Sequence, residues 1–164
     1  MKIAISIEHF SATKGGAERY ASGLAKALAD KKHDVHILAC TWYDGCEKDF
    51  HCHRMPYAWF RTFRDIKFVR ATQRELLKEK YDVCISLSRS INCSIYQPRG
   101  GIHVAYLQRE LKSINNSILR IVKLLSLKIS LRHFLIKRIE KSIFERRDII
   151  VVAISEMVKR DILS

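Results

Sequence analysis

The chain has 164 residues, the length of one ordinary domain, and 48% of them are hydrophobic, enough to build a core of its own. Thirty lysines and arginines against 17 aspartates and glutamates give a formal net charge of +13, so an anionic partner is expected: a phosphate-rich substrate, a lipid surface or nucleic acid. The start MKIAISI is too short for a signal peptide, no apolar run reaches membrane-spanning length, and five irregularly spaced cysteines argue against a disulfide framework, so we expect a cytoplasmic protein, soluble or peripheral to a membrane.

The first third of the chain is predicted to alternate strands and helices. A β-branched apolar run at 2–7 predicts a strand. After a polar segment and the pair Gly15 and Gly16, apolar residues at helical spacing predict a helix at 17–30, and a second buried strand follows at 35–40. When a helix joins two such strands, the strands pair in parallel and the connection is right-handed. The fold class is therefore α/β, a Rossmann-like parallel sheet with helices on both faces.

The rest of the chain continues this pattern. The predicted elements are a short strand at 50–55, a basic amphipathic helix at 60–80, a strand at 82–87, a glycine turn before a helix at 104–111, a helical region at 114–147 that breaks near 126–130, a strand at 149–154, and a helix at 157–163 capped by Ser155 and Glu156. In the helix at 60–80, the side chains predicted to face the core are those of Phe60, Phe63, Ile66, Val69 and Leu76 or Leu77.

Gly15 and Gly16 follow the first predicted strand, at the edge where ligands of open parallel sheets bind. Glycine there permits close approach of a ligand to the backbone, and a tight turn without any ligand explains the pair equally well. The pair is not a G-x-G-x-x-G fingerprint, and the chain contains no G-x-x-x-x-G-K-[ST] phosphate loop. Nicotinamide chemistry and nucleoside triphosphatase activity are thus disfavoured.

Three separated segments carry a family resemblance. MKIAIS, GGAERYASGLAKAL and HDVHIL, in that order, resemble the opening of family 4 glycosyltransferases, and VVAISEMVKRDIL resembles the strand and helix that close their N-terminal domain. Between them, YQPRGGIHVAYL is similar to the mid-domain segment of members that add sugars to the lipopolysaccharide core. The resemblance implies that residues 1–164 are the N-terminal, acceptor-side domain of a two-domain enzyme of the GT-B type.

The implied reaction is the transfer of a hexose, with retention of anomeric configuration, from a nucleotide diphosphate sugar to a lipopolysaccharide-core or related glycan, free or lipid-linked. The family requires no metal or other cofactor. Its donor-binding domain would follow the last predicted helix, so we expect the chain alone to be inactive.

The resemblance also assigns the candidate catalytic and donor-binding residues. Gly15 and Gly16 fall in the loop that lies over the donor diphosphate and the reacting sugar, and Arg19 is in the same run, where it could hold a donor phosphate. His103 matches the active-site position of the domain, where a histidine could hydrogen-bond the donor sugar or accept a proton.

Four further residues are candidate acceptor contacts because of their places in the predicted loops and the third helix. Arg89 and Arg99 could pair with acceptor phosphates, and solvated loop arginines are the alternative interpretation. The rings of Trp42 and Tyr106 could stack on a sugar, and packing on their own domain is equally common.

The segment His51-Cys52-His53, together with Cys46, invites a metal hypothesis. Its spacing matches no common zinc arrangement, and adjacent residues on a strand point to opposite faces. We therefore expect no metal site.

The helical region at 114–147 carries much of the positive charge. Its apolar members could rest on an anionic bilayer while the basic residues contact lipid headgroups, or they could simply face the sheet. Its basic residues and those just beside it are Lys112, Arg120, Lys123, Lys128, Arg132, Lys137, Arg138, Lys141, Arg146 and Arg147, and the apolar ones are Ile118, Ile121, Val122, Leu125, Ile129 and Leu131.

Two other functions remain open. One is a non-catalytic binding module completed by a separate donor-domain protein, and the other is a basic protein that binds a membrane surface. Nucleic acid is not expected as a partner, because no helix-turn-helix, RNA-recognition or zinc-finger pattern accompanies the charge.

Overall fold

The computed structural model describes residues 1–43, 49–99 and 101–163. In chain order the elements are β1 (Lys2–Ser6), β2 (His9–Phe10), α1 (Gly16–Asp30), β3 (Asp34–Ala39), β4 (Thr41–Trp42), β5 (His51–Arg54), α2 (Arg61–Lys78), β6 (Val83–Ser86), β7 (Ile95–Tyr96), α3 (His103–Lys112), α4 (Ser117–Ile129), α5 (Leu131–Phe144), β8 (Ile150–Val151) and α6 (Glu156–Leu163).

A six-stranded sheet in the order β5-β3-β1-β6-β7-β8 forms the centre of the fold, and every ladder in it is parallel. The central strand β1 pairs with β3 on one side and β6 on the other. Two short strands, β2 and β4, form a separate parallel pair beyond the carboxyl ends of β1 and β3. The predicted α/β class with a Rossmann-like parallel sheet is confirmed.

Successive side chains of a strand point to opposite faces of the sheet, and here the side chains on both faces are largely apolar. Helices therefore cover both faces. On one face, Ile5 and Ile37 pack with Ala21 and Ala25, whose small side chains let α1 lie close to the strands. On the other face, a second buried cluster joins β1 and β3 to α2 and α5. Its central members are Ala4, Leu38, Phe68 and Ile143.

The predicted core-facing side of α2 is partly wrong. Val69 is buried as expected, but Phe60 and Phe63, before and within the first turn of the helix, are 72% and 51% exposed. The buried face instead includes Asp65 and Thr72, polar residues that a hydrophobic pattern places on the outside. The hydroxyl of Thr72 donates to the carbonyl of the residue four positions earlier, at 2.9 Å, and Asp65 is held by ion pairs described below.

Other predicted features agree more closely with the structure. The long helical region breaks at Ser130, and the side chain of Ser155 accepts a hydrogen bond from the backbone N–H of Val158 at 3.2 Å, as expected of a capping residue. The sequence did not predict β2, β4 and β7, because a strand of two residues has no measurable periodicity.

Helix α4 lies on the surface with its apolar side chains uncovered. Ile118, Ile121, Val122, Leu125 and Ile129 are between 52% and 83% exposed, and no residue of this helix is buried. The stripe therefore does not face the sheet. Among the described residues, every helix is too short or too polar to cross a membrane.

Candidate active site

A cavity of about 470 Å³ opens at the carboxyl edge of the sheet. Parallel strands present their carboxyl ends at one edge, so the loops after β1, β6 and β7 converge there with the start of α3. The residues that line the cavity are Glu8, Ala17, Asp65, Leu87, Ser88, Arg89, Tyr96, Pro98, Arg99, Gly101, His103, Tyr106 and Arg132.

Two glycines beside this cavity have backbone conformations that favour glycine. Gly15, immediately before α1, has φ +47°, and a Cβ at this position would collide with the carboxylate of Glu18. Gly101, just before α3, has φ +79°. Both lie in the left-handed half of the Ramachandran plot that other residues rarely enter, which explains the glycines at these turns. Gly16 begins α1, and Gly100 lies outside the described residues.

Arg99 connects the two glycine turns. Its guanidinium lies 3.2 Å from Oε1 of Glu18 in the first turn of α1, and it donates to Oγ of Ser88 at 3.2 Å. The carboxylate of Glu18 thus occupies the N-terminal end of α1, where the helix dipole favours a negative group. An anionic ligand at this position would compete with Glu18 for Arg99.

A buried ion-pair network forms the deeper wall of the cavity. Arg89, after β6, donates from Nε to Oε1 of Glu140 at 3.1 Å and lies 3.7 Å from Asp65, which also pairs with Arg132 at 3.1 Å. Glu140 is only 3% exposed. Burial raises the pKa of this carboxyl, and Arg89 together with the N–H of His103 opposes that rise.

His103 is the first residue of α3, and it is buried against the network. Its backbone N–H donates to Oε2 of Glu140 at 2.9 Å, which satisfies one of the free N–H groups at the start of the helix. Its Nε2 lies 2.8 Å from Nδ1 of His133, with the two rings stacked. Burial, assisted by the positive charge of Arg89, lowers the pKa of His103 to about 4. The imidazole is therefore neutral at pH 7 and is better suited to hydrogen bonding than to accepting a proton.

The structure brings together four of the predicted site residues and separates the others. Arg89, Arg99 and His103 line the cavity, and Tyr106 stands half-exposed at its rim. Gly15 and Gly16 do not line it, although the next residue, Ala17, does. The other two predicted contacts, Arg19 and Trp42, are not among the residues that line the cavity.

Trp42 lies in a different cleft, formed by the segments that follow β3 and β5. The guanidinium of Arg54 lies 5.5 Å from the ring of Trp42, so this aromatic residue already has a partner within its own domain. Arg19 is exposed in the first turns of α1.

Among the site residues that were not predicted are Asp65, Arg132, His133 and Glu140. They come from α2 and α5 and meet the strand-end loops only in the folded chain. One signal was available for Glu140, an acidic residue among many basic ones on a helix that also packs on the core. Such an isolated acid usually has a buried basic partner.

No set of three metal-ligating side chains lies within ligand distance in this cavity, so far as the described ranges extend. The sets that do occur lie at the other end of the sheet.

The Rossmann-like parallel sheet with its helices matches the fold of GT-B glycosyltransferases. The sequence profile described as Glycosyltransferase Family 4 matches residues 14–164, and the chain belongs to that family.

One solved structure has the same fold over nearly the whole chain. It is described as the crystal structure of WaaG, a glycosyltransferase involved in lipopolysaccharide biosynthesis, and it aligns with a TM-score of 0.78 at 15% sequence identity. The match covers 98% of this chain and 40% of the WaaG chain. No curated protein matches the chain in sequence.

Proposed function

We propose that the chain is the acceptor-side domain of a retaining glycosyltransferase that moves a hexose from a nucleotide diphosphate sugar to a glycan of the lipopolysaccharide-core type. The single observation that carries this proposal is the cavity at the carboxyl edge, which joins Arg89, Arg99 and His103 beside the turn at Gly15. Membership of the glycosyltransferase family and the fold shared with WaaG support it. The proposed transfer uses no metal or organic cofactor.

Arg99 is the arginine best placed to contact a substrate phosphate. Asp65 and Glu140 hold Arg89 with carboxylates that are almost fully buried, so Arg89 cannot leave them without exposing uncompensated charge. The partner of Arg99 is Glu18, a partly exposed residue. A phosphate is also an anion that accepts hydrogen bonds from a guanidinium, so it can replace that carboxylate. We propose that Arg99 exchanges Glu18 for a phosphate when substrate binds.

His103 then serves as a neutral hydrogen-bonding group for a sugar hydroxyl. Its low pKa makes it a weak base at neutral pH, so positioning of the donor sugar suits it better than proton abstraction. The phenol ring of Tyr106, at the rim, offers a stacking surface to the acceptor sugar.

The reaction is tested with the purified chain, alone and mixed with the donor domain of a family 4 relative. Nucleotide diphosphate hexoses and a lipopolysaccharide-core oligosaccharide are supplied, and release of nucleoside diphosphate is measured while NMR gives the anomeric configuration of the product. His103→Ala should reduce turnover by about 10- to 100-fold, the value of one hydrogen bond in a polar site. His33→Ala, outside the cavity, is the matched control.

Each result bears on one part of the proposal. Turnover only in the mixture agrees with an acceptor-side domain, and no turnover in the mixture would contradict the proposal. An inverted product, or full activity in His103→Ala, refutes the corresponding part of the proposal.

A separate observation, the exposed apolar stripe of α4, supports a membrane-facing role for this helix. The exposed apolar stripe lies beside Arg120, Lys123 and Lys128, the arrangement of a helix at a lipid interface. We propose that this helix holds the domain, from the cytoplasmic side, on an anionic membrane that carries a lipid-linked acceptor.

Co-sedimentation with phosphatidylglycerol vesicles tests this role against phosphatidylcholine vesicles. The double change Ile121→Asp with Leu125→Asp should abolish binding. Leu77→Asp, at an exposed leucine on α2, should leave it unchanged. Equal binding by both variants would contradict the proposal.

A further inference from the structure

A histidine cluster lies at the amino ends of β3 and β5, away from the cavity. The two strands pair in parallel with His36 opposite His51, and His53 lies two residue pairs further along, opposite Leu38. Because side chains alternate along a strand, Asp34 and His36 share one face of the sheet with His51 and His53. Residues of two strands are thus collected into one site, although the local spacing of His51, Cys52 and His53 predicted none.

Four of the side chains form a chain of polar contacts. Oε1 of Glu75 lies 2.9 Å from Nδ1 of His53, and Nε2 of His53 lies 2.8 Å from Nδ1 of His36. Nε2 of His36 in turn lies 3.2 Å from Oδ2 of Asp34. The order along the chain is carboxylate, imidazole, imidazole, carboxylate.

One contact in this chain is not a hydrogen bond. Nε2 of His36 is buried and has no hydrogen-bond partner within the part of the chain that the structure describes, although Oδ2 of Asp34 lies 3.2 Å away. His36 is only 7% exposed, and a buried polar atom normally has a partner.

A third nitrogen reaches the same place. Nε2 of His51 lies 3.4 Å from the other oxygen of Asp34, and the ligand atoms of Asp34, His36 and His51 all lie within 4.8 Å of one another. Tetrahedral zinc, with bonds of about 2.0–2.2 Å to nitrogen and oxygen, requires ligand atoms roughly 3.3–3.6 Å apart. The contacts of His36 and His51 with Asp34 are each close to this range, but they end on different carboxylate oxygens. With Oδ2 as the ligand, the exposed ring of His51 turns to complete the set.

We propose that Asp34, His36 and His51 bind a divalent transition metal ion of the zinc type. The ion is the partner that Nε2 of His36 lacks, and water takes the fourth position on the exposed side. His53, backed by Glu75, is a positioning residue that holds Nδ1 of His36 and aims Nε2 at the metal.

A second set of ligand atoms, from His36, His53 and Glu79, is a weaker candidate. The two imidazoles of that set already face each other, and Glu79 pairs with Lys2 at 2.6 Å. A metal there would have to break contacts that are satisfied, whereas the proposed set fills one that is not.

The role of the metal is structural. The cluster is at the amino ends of the strands, and the cavity is at their carboxyl ends, so the ion does not touch the proposed reaction. It links β5, the last strand at one edge of the sheet, to the more central β3. A bound ion should therefore stabilise this edge of the sheet and raise the melting temperature.

The test uses the chelator-stripped full chain titrated with Zn²⁺ in a calorimeter and with Co²⁺ in a spectrophotometer. We expect one equivalent of metal, visible d–d bands from Co²⁺ without a thiolate charge-transfer band, and a higher Tm with Zn²⁺. His51→Ala and Asp34→Asn change exposed or half-exposed side chains, so folding is retained, and both should lose binding and the Tm increase. His53→Ala should weaken affinity about 10- to 100-fold, as loss of a residue behind a ligand does.

His33→Ala, adjacent in sequence but outside the cluster, should bind like the unchanged chain. Three results would overturn the proposal: no binding by the unchanged chain, equal binding by His51→Ala and Asp34→Asn, or a thiolate band that assigns the ion to cysteine. None of them bears on the glycosyltransferase proposal, whose residues lie at the other end of the sheet.

Discussion

Replacing Glu140 separates the two ways in which this residue can support the candidate site. Its carboxylate accepts hydrogen bonds from the N–H of His103 and from Arg89, and it also carries a negative charge in a buried place. Glu140→Gln removes the charge and retains one of the two acceptor oxygens in a side chain of the same shape. Glu140→Ala removes both.

The expected costs differ because the hydrogen bonds stabilise the fold while burial penalises the charge. In Glu140→Ala, a buried N–H without an acceptor costs about 1–3 kcal/mol. Arg89 is partly exposed and keeps its ion pair with Asp65, so losing the contact between Arg89 and Glu140 adds only about 1 kcal/mol. The total of about 2–4 kcal/mol corresponds to roughly 5–15 °C in Tm for a chain of this size. Glu140→Gln should cost about 1 kcal/mol, because its carbonyl oxygen still accepts from the N–H of His103 while the hydrogen bond from Arg89 is lost.

Urea unfolding of the three proteins, followed by circular dichroism, measures these differences. The sign of the pH dependence gives a second reading. A carboxyl whose pKa is raised in the folded state makes the protein less stable as pH rises through that pKa. The stability of the unchanged chain, relative to that of Glu140→Gln, should therefore increase as the pH is lowered. Equal destabilisation by Gln and Ala at neutral pH would refute this reasoning and show that the charge, not the acceptor, holds the site together.

Three further outcomes are expected. Gly15→Ala should cost about 1–2 kcal/mol in urea unfolding, because of its φ of +47° and the collision with Glu18, while Gly16→Ala, with open space around it, should change stability by less than about 0.5 kcal/mol. The lowered pKa of His103 favours its neutral form in the folded state, so about 3 kcal/mol of stability should be lost as pH falls from about 6.5 to about 4, and His103→Gln should flatten that part of the pH profile. Burial raises the pKa of Cys93 to about 11, so mass spectrometry should find this thiol unalkylated by iodoacetamide until urea unfolds the chain, and rapid labelling in native buffer would contradict the structure.

The parts of the fold that the sequence predicts are those that a periodic run of side chains defines. The strand at Lys2–Ser6 and the helix at Gly16–Asp30 are dictated by local pattern, and so is the break between two long helices at Ser130. The two-residue strands form only because a neighbouring strand is present to pair with them. Their pairing is a tertiary property, which a local pattern does not contain.

The buried face of α2 shows why hydrophobicity alone misplaces a helix. Asp65 is buried because Arg132 and Arg89, from distant parts of the chain, lie beside it. A carboxylate without those partners would be held at the surface. The helix is thus oriented partly by the ion-pair network of the site, and Phe63, although apolar, is left half-exposed.

The candidate site divides in the same way. His103 and Arg99 were found from short segments next to glycine turns, where sequence alone marks the edge of the sheet. The acids that hold the site were not found, because Glu140 and Asp65 are far in sequence from the groups that they bind. Resemblance identifies the loop residues, and only the folded chain shows what supports them.

The net charge of +13 also has a different meaning once the structure is known. In the cavity, each arginine faces a carboxylate: Arg89 and Arg132 face buried acids, and Arg99 faces Glu18. The excess of positive charge therefore lies on the outer surface, including α4. Salt screens exposed charges strongly, and it screens charges that are paired and partly buried much less. Binding to anionic vesicles should therefore weaken steeply with added salt, while sugar-nucleotide binding changes little. A steep salt dependence of both would mean that the cavity depends on the surface charge after all, and would contradict this division.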